Sequence, residues 1–313
     1  MPEKLIVILG PTASGKSELA IKLAKKLAPY RPPPKFGGGV GAGFNGEIVS
    51  ADSRQVYKGM DIGTGKITKK EMKGICHYLL DVASPKRRFT VVQYRKLALK
   101  AINKILKKVH IPFLCGGTGF YIQAVIDGIV IPEVKPDWRL RSNLNKFPVE
   151  ELYKILKKLD PKRAKTIEKK NRRRLIRAIE IVMKTKKPVP ALRKKPLPYP
   201  VLMIGIKKSA KELKKLIKKR FLKWLKQGLI KEVKNLRKIG LSWKKIEEFG
   251  IHYRVMAQYL QNKLSYKEMI ENSIRQIQNY AKRQLTWFKR DKRIYWVKNY
   301  REAKEILEKF LLR

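Results

Sequence analysis

Residues 5–17 read LIVILGPTASGKS, and this stretch decides the fold. Five consecutive aliphatic residues, Leu5 to Leu9, have the length and composition of a strand buried on both faces. Gly10 ends the run, and Gly10 to Ser17 satisfies the pattern G-x-x-x-x-G-K-[ST]. Leu19, Leu23 and Leu27 follow at four-residue spacing and predict a helix. Strand, glycine loop and helix form the setting in which such a loop cradles phosphate. Across Gly10, Thr12, Ala13, Ser14 and Gly15 the backbone N–H groups turn inward toward an anion. The helix N-terminus adds a fixed positive end. Lys16 supplies a point charge, and the Ser17 hydroxyl is placed for Mg2+. The loop alone does not say whether its ligand is a nucleoside triphosphate or another diphosphate.

Working outward, residues 47–50, 78–82 and 111–115 read as further short strands. Residues 91–108 read as an amphipathic helix with Tyr94, Leu97, Ala98, Ala101 and Ile105 on one face. Strands alternating with helices predict an α/β fold, a parallel sheet with helices on both faces. Residues 29–44 carry three prolines and three glycines in tandem and predict an irregular loop. From about Pro132 to Pro200 the strand signals stop. Segments 150–159, 161–169 and 172–184 read as helices, with Asp160-Pro161 as an N-cap and first-turn proline. A strand at 199–206, one long helix at 210–237, further helices to 289, a strand at 293–297 and a terminal helix complete the chain. The organisation expected is a P-loop parallel-sheet core beginning in 1–131, a helical insertion domain at 132–198, and a return to the core with a helical C-terminal region in 199–313.

Lys and Arg number 75 against 25 Asp and Glu, a net charge of +50 in 313 residues. Self-repulsion on that scale opposes compaction, and a polyanionic partner offsets it. Lysines spread evenly, as over residues 207–226, are equally those of a solvated surface. Cys76 and Cys115 are far apart and lack C-x-x-C spacing, which argues against a zinc site or a disulfide. They are expected as reduced thiols in or near the core. No apolar run approaches a membrane span, and residues 5–9 are too short for a signal peptide, so a cytoplasmic protein without membrane contact is expected. Nothing demands a dimer, and a monomer is expected.

Asp52 lies just beyond the second strand, at the edge where open parallel sheets hold ligands. A carboxylate facing a bound diphosphate there is a metal ligand or a base; the alternative is a turn aspartate. Gly116-Gly117-Thr118 ends the fourth strand at the same edge, where glycines allow close backbone approach and Thr118 offers a hydroxyl. Asp81 ends the third strand, either beside a metal or capping a turn. Arg172, Arg173, Arg174 and Arg177 cluster on a helix of the insertion. Lys282, Arg283 and Trp287 mix charge with an aromatic ring, which suits phosphate contact and stacking, although Trp287 is equally a core residue.

The blocks GPTASGKS (10–17), SADSRQVYKGMDIGT (50–64) and CGGTGFY (115–121), in this order, resemble the tRNA dimethylallyltransferase family. The likeness continues through NRRRLIRA (171–178), Arg220-Phe221, Gly228-Leu229, Glu232-Val233 and KRQLTWF (282–288), and spans nearly the whole chain. Ordinary P-loop kinases share only the first block. The resemblance implies that Thr12 to Ser17 hold the diphosphate of dimethylallyl diphosphate, that Asp52 is the general base on N6 of an adenosine, that Thr118 contacts the reacting groups and that Arg220 clamps the leaving diphosphate. It implies Mg2+ as cofactor. It places tRNA, at its anticodon stem-loop, against Asp52, Ser53, Arg54, Gln55, Thr118, Arg139, Arg173, Arg174, Leu175, Ile176, Arg177, Lys282, Arg283, Gln284 and Trp287. The target it implies is the adenosine immediately 3′ of the anticodon. The segment 249–254 departs from the family's shorter element, and no contact is carried over there. A metabolite kinase, prenyl transfer to free AMP or ADP, and a non-catalytic RNA-binding protein are the competing readings.

Overall fold

The computed structural model describes residues 3–27, 46–129, 134–191 and 194–312. The loop expected at 29–44 lies outside them. Six strands form one parallel sheet: β1 (Leu5–Leu9), β2 (Gly46–Ser50), β3 (His77–Tyr78), β4 (Ile111–Gly116), β5 (Val201–Ile206) and β6 (Ile294–Val297), in the spatial order β3-β2-β4-β1-β5-β6. The α/β reading holds. β4 lies between β1 and β2, with Val7 opposite Leu114 and Val49 opposite Leu114 on the other side. The loops after β1, β2 and β4 therefore emerge side by side at one edge.

Alternation along the strands divides the core into two layers. Leu5, Val7, Leu9, Val49 and Leu114 pack with Tyr94, Ala98, Ile102 and Ile122 from helices Val91–Lys107 and Gly119–Ile126. Ile6, Ile8, Ile48 and Phe113 face Leu19, Leu23, Ala303 and Leu307 from helices Lys16–Lys26 and Tyr300–Leu312. A further cluster joins Val56, Tyr57 and Met60 to the helices between Ala210 and Phe288.

Three expectations need correction. The third strand stops at Tyr78, because Leu79 and Asp81 adopt φ of 66° and 56°, the left-handed region that ends pairing. The long helix at 210–237 is two, Ala210–Lys226 and Leu229–Lys238, broken where Gly228 takes φ 101°. Cys76 is exposed; only Cys115 lies in the core.

The chain divides into two compact units, one of residues 1–127 with 196–313 and one of residues 128–195. The second is helical: Trp138–Leu144, Val149–Leu159, Pro161–Thr166 and Arg172–Thr185 enclose Leu152, Leu156, Leu175, Ile176 and Ile179. Asp160 caps its third helix by accepting from the Arg163 N–H at 2.9 Å. Among the described residues no helix is long and apolar enough to cross a membrane.

Candidate active site

The loop after β1 is shaped by its backbone. Ala13 adopts φ 65° and Gly15 φ 89°, so successive N–H groups turn the same way before helix Lys16–Lys26 begins. That helix has no side-chain cap, which leaves its first N–H groups for an anion. The Ser14 hydroxyl is buried without a partner, as a donor kept for a ligand oxygen would be. Lys16 donates to the Pro11 carbonyl at 3.3 Å. Burial, then the nearby Arg220 charge, lowers the Lys16 pKa, while the Asp52 charge pulls it back up. Arg220, from helix Ala210–Lys226, donates to the Thr12 hydroxyl and lies over the Trp224 ring at 4.6 Å. Burial pushes its pKa down to about 10 against the pull of Asp52. Two crowded cations and one carboxylate thus share a partly desolvated pocket.

The loop after β2 is built from side chains. Asp52 Oδ1 accepts from the Arg54 N–H at 2.8 Å and the Gln55 N–H at 3.4 Å, a turn that fixes the carboxylate. Among the described residues its Oδ2 has no hydrogen-bond partner. Gln55 accepts from the Ser50 hydroxyl at 3.1 Å and donates to the Gly65 carbonyl at 3.0 Å, so its amide braces the loop. Thr118, after β4, accepts from the Ser53 N–H at 3.1 Å and stitches the two loops together. Tyr94 and Tyr121 stack 3.8 Å apart, near enough to Asp52 that its charge adds to the burial that raises both phenols, and Tyr94 donates to the Ser50 carbonyl. Burial, then the Asp52 charge, pushes the half-exposed Tyr280 up to about 12. The buried Cys115 thiol, pushed up to about 11 by burial, is no nucleophile.

Beside the loop after β1 a cleft of about 780 Å³ opens, lined by Ala13, Gly15, Arg220, Lys219, Lys223 and Lys226 among others. Among the described residues no group of three or more His, Cys, Asp or Glu is gathered for a metal. Asp81 forms an ion pair with Lys66 at 2.6 Å, a partner that neither of its two readings named.

Helix Tyr266–Phe288 carries the last block. Lys282 and Arg283 are exposed. Gln284 is 7% exposed: it accepts from the Thr12 N–H at 2.8 Å and donates to the Gly117 carbonyl at 2.8 Å, so its side chain is not offered to solvent. Trp287 is half-buried against the apolar layer that includes helix Gly119–Ile126, its Nε1 is unpartnered, and a Cβ on Gly119 would strike its ring.

Within the helical unit, Arg139 and Arg173 are exposed and Arg174 pairs with Glu168 at 3.4 Å. Arg177 is held by Glu180 and the Val134 carbonyl. Leu175 and Ile176 are core, 0% and 5% exposed, so their side chains do not reach a surface partner. Arg172, Arg173 and Arg174 form the first turn of helix Arg172–Thr185, where cations oppose the helix dipole. That local cost is one a polyanion offsets.

Sequence reasoning gave no role to two residues that the fold sets close to the site. Glu232 accepts from the N–H groups of Asp61, Ile62 and Gly63 at 2.7, 2.7 and 2.9 Å and from the Tyr253 phenol at 2.8 Å. His252 is packed edge-on to Trp224 at 5.0 Å and pushed down to about 3 by burial and then by Arg220.

A family model described as IPP transferase matches residues 55–291, a span that leaves out the phosphate loop and Asp52. The chain is 39% identical over 303 residues to the tRNA dimethylallyltransferase of Acetivibrio thermocellus, covering 94% of this chain and 91% of that one. The full-length tRNA isopentenylpyrophosphate transferase of Bacillus halodurans superposes with a TM-score of 0.70 at 35% identity, covering 99% and 96% of the two chains. A eukaryotic dimethylallyltransferase, described as acting on tRNA, superposes with a TM-score of 0.75 at 26% identity, covering 95% and 74%.

Proposed function

This chain belongs to the IPP transferase family and is a prenyltransferase, and we propose that it transfers a dimethylallyl group from dimethylallyl diphosphate to N6 of the adenosine immediately 3′ of the anticodon in tRNA, releasing diphosphate. The observation that carries the reading is the convergence, at one sheet edge, of a cationic anion cradle and a carboxylate with an unengaged oxygen.

The allylic C1–O bond breaks and its electron pair leaves with the diphosphate. Charge therefore builds on the leaving oxygens, and fixed cations in a desolvated site stabilise it. Lys16, Arg220, the Thr12 hydroxyl held to it, and the N–H groups through Ser17 fill that role. The exocyclic amine of adenine is a weak nucleophile because its lone pair is shared with the ring. Asp52 takes an N6 proton as the N6–C1 bond forms. Thr118, tied to Ser53, fixes the loop that carries Asp52. A stacked base does not present its N6 to such a site, so the adenosine is flipped out. Lys282, Arg283, Arg139, Arg173 and Arg174 are the exposed or surface-paired cations available for tRNA phosphates.

Few protein oxygens are gathered here, and that fits Mg2+, which takes one or two protein oxygens beside phosphate and water. Ser17 would hold it, and the ion would neutralise charge on the diphosphate.

The test incubates the protein with labelled dimethylallyl diphosphate, Mg2+ and unmodified tRNA, then digests the RNA for N6-prenylated adenosine. Asp52→Asn, which keeps the Oδ1 acceptor, is expected to lose about 10²–10⁴ in kcat with tRNA affinity within about twofold. Loss of tRNA binding with normal turnover at saturation refutes the base assignment.

A further inference from the structure

Helix Tyr266–Phe288 buries Ile277, Ala281, Gln284 and Phe288 along one stripe. The spacing is that of a core-facing helix, and a glutamine in such a stripe needs partners for both ends of its amide. Gln284 has them. Its oxygen accepts from the Thr12 N–H and its nitrogen donates to the Gly117 carbonyl, both at 2.8 Å. Thr12 belongs to the loop after β1 and Gly117 to the loop after the adjacent strand β4. The amide therefore spans the gap between two catalytic loops. A Cβ on Gly117 would lie 2.5 Å from Gln284 Nε2, so only glycine lets the amide in. The Thr12 hydroxyl in turn holds Arg220.

We propose that Gln284 is a positioning residue for the diphosphate loop, and not a contact to RNA. Its bond takes up the Thr12 N–H, so this donor does not serve the ligand. By pinning that point, Gln284 fixes the turn from which the following N–H groups face the diphosphate, and it sets the Thr12 hydroxyl against Arg220. Lys282 and Arg283 precede it in the same turn and are exposed. A polyanion seated on those two cations lies one turn from the bond that shapes the loop. The helix thus links the acceptor-facing surface to the donor site. This assignment rests on the phosphate reading of the loop and not on which prenyl group is transferred.

Three variants test it: Gln284→Ala, Gln284→Glu, which keeps the acceptor and loses the donor to Gly117, and Gly117→Ala, which crowds the amide without removing it. Inorganic pyrophosphate affinity is measured by calorimetry, tRNA affinity by filter binding, donor kcat and KM by transfer, and the fold by circular dichroism and melting. Two lost hydrogen bonds, one buried and one partly buried, are expected to weaken pyrophosphate binding about tenfold or more in Gln284→Ala, with tRNA affinity within about twofold. Gln284→Glu is expected to be worse still, because its carboxylate faces the Gly117 carbonyl and the diphosphate, and Gly117→Ala to show the same defect as Gln284→Ala. A pattern of weakened tRNA binding with normal pyrophosphate affinity overturns the assignment, and so does normal affinity for both in variants that melt as the wild type does. Should Gln284→Ala not fold, the other two variants decide. If the wild type binds pyrophosphate yet transfers no prenyl group, the proposed reaction fails while the pyrophosphate comparison still judges Gln284.

Discussion

Glu232→Ala is expected to destabilise the sheet-containing unit by about 3–5 kcal/mol. The Glu232 carboxylate, 9% exposed, accepts three backbone N–H groups in succession, from Asp61, Ile62 and Gly63, and the Tyr253 phenol. Each hydrogen bond to a charged group contributes about 1.5–3 kcal/mol, a gross sum of roughly 6–12 kcal/mol. Water reaches the partly exposed Asp61 and Ile62 donors once the carboxylate is gone, which recovers roughly half. Gly63 and Tyr253 are not rescued in this way, because their bonds to Glu232 are buried. The remaining loss is a large share of the roughly 5–15 kcal/mol by which a domain is stable. Glu232→Gln keeps one acceptor but turns an NH2 toward donors, and is expected to cost about 2 kcal/mol. Urea unfolding followed by circular dichroism and tryptophan fluorescence measures both. The loop runs from Asp52 to Gly65, so a stable remnant of Glu232→Ala is also expected to transfer slowly. A cost under about 1 kcal/mol for the alanine variant refutes the view that this carboxylate folds the loop.

His252 is expected to make stability pH-dependent. Its folded pKa is held down at about 3, below the ordinary value of 6.5, so the unfolded chain binds the extra proton as pH falls. Stability is therefore lost progressively from pH 6.5 toward 3, and His252→Phe removes that part of the slope in urea titrations at several pH values; an unchanged slope refutes it. Reversing Lys219, Lys223 and Lys226 to Glu together is expected to lower kcat/KM for the diphosphate donor roughly tenfold at low salt, with kcat little changed and the difference shrinking as salt rises. A deficit that is independent of salt shows that the cleft does not guide the donor.

The sheet was legible because its signals are local. Aliphatic runs at residues 5–9 and 111–115 and the glycine loops after them need no distant partner to be read. The third strand was misread because Asp81 is held by partners elsewhere in the chain: its carboxylate by Lys66, and its N–H by the Gln55 carbonyl at 3.3 Å. The break in the long helix did have a local signal, Gly228, outweighed by the periodicity on either side. In the site, the cradle and Asp52 were visible as motifs, whereas Gln284 was read as a surface residue alongside its exposed neighbours Lys282 and Arg283. Only its place in the stripe Ile277, Ala281, Gln284, Phe288 marks it as buried. Glu232 stood within the family resemblance without a role, and His252 lay in the segment 249–254, where no contact was carried over. Three consecutive N–H groups or a tryptophan edge are known only once the chain is folded.

The positions that break local rules point the same way as the motifs. Lys16 and Arg220 crowd one another in a desolvated pocket: burial and the Arg220 charge lower the Lys16 pKa, and burial lowers that of Arg220. Arg172, Arg173 and Arg174 stand on the wrong end of a helix dipole. The crowding of Lys16 and Arg220 does not help the chain to fold, whereas Arg172 is held against the dipole by the Asn145 and Phe147 carbonyls and Arg174 by Glu168; a net charge of +50 makes both arrangements costlier. Evenly spread surface lysines explain the total charge but not cations forced into these places. Local conflicts of this kind concentrate where function needs them. In the proposed reaction anions would relieve both: a diphosphate between Lys16 and Arg220, and a phosphate backbone along the first turn of the arginine helix. The small anion and the large one are the two substrates that the proposed reaction brings together.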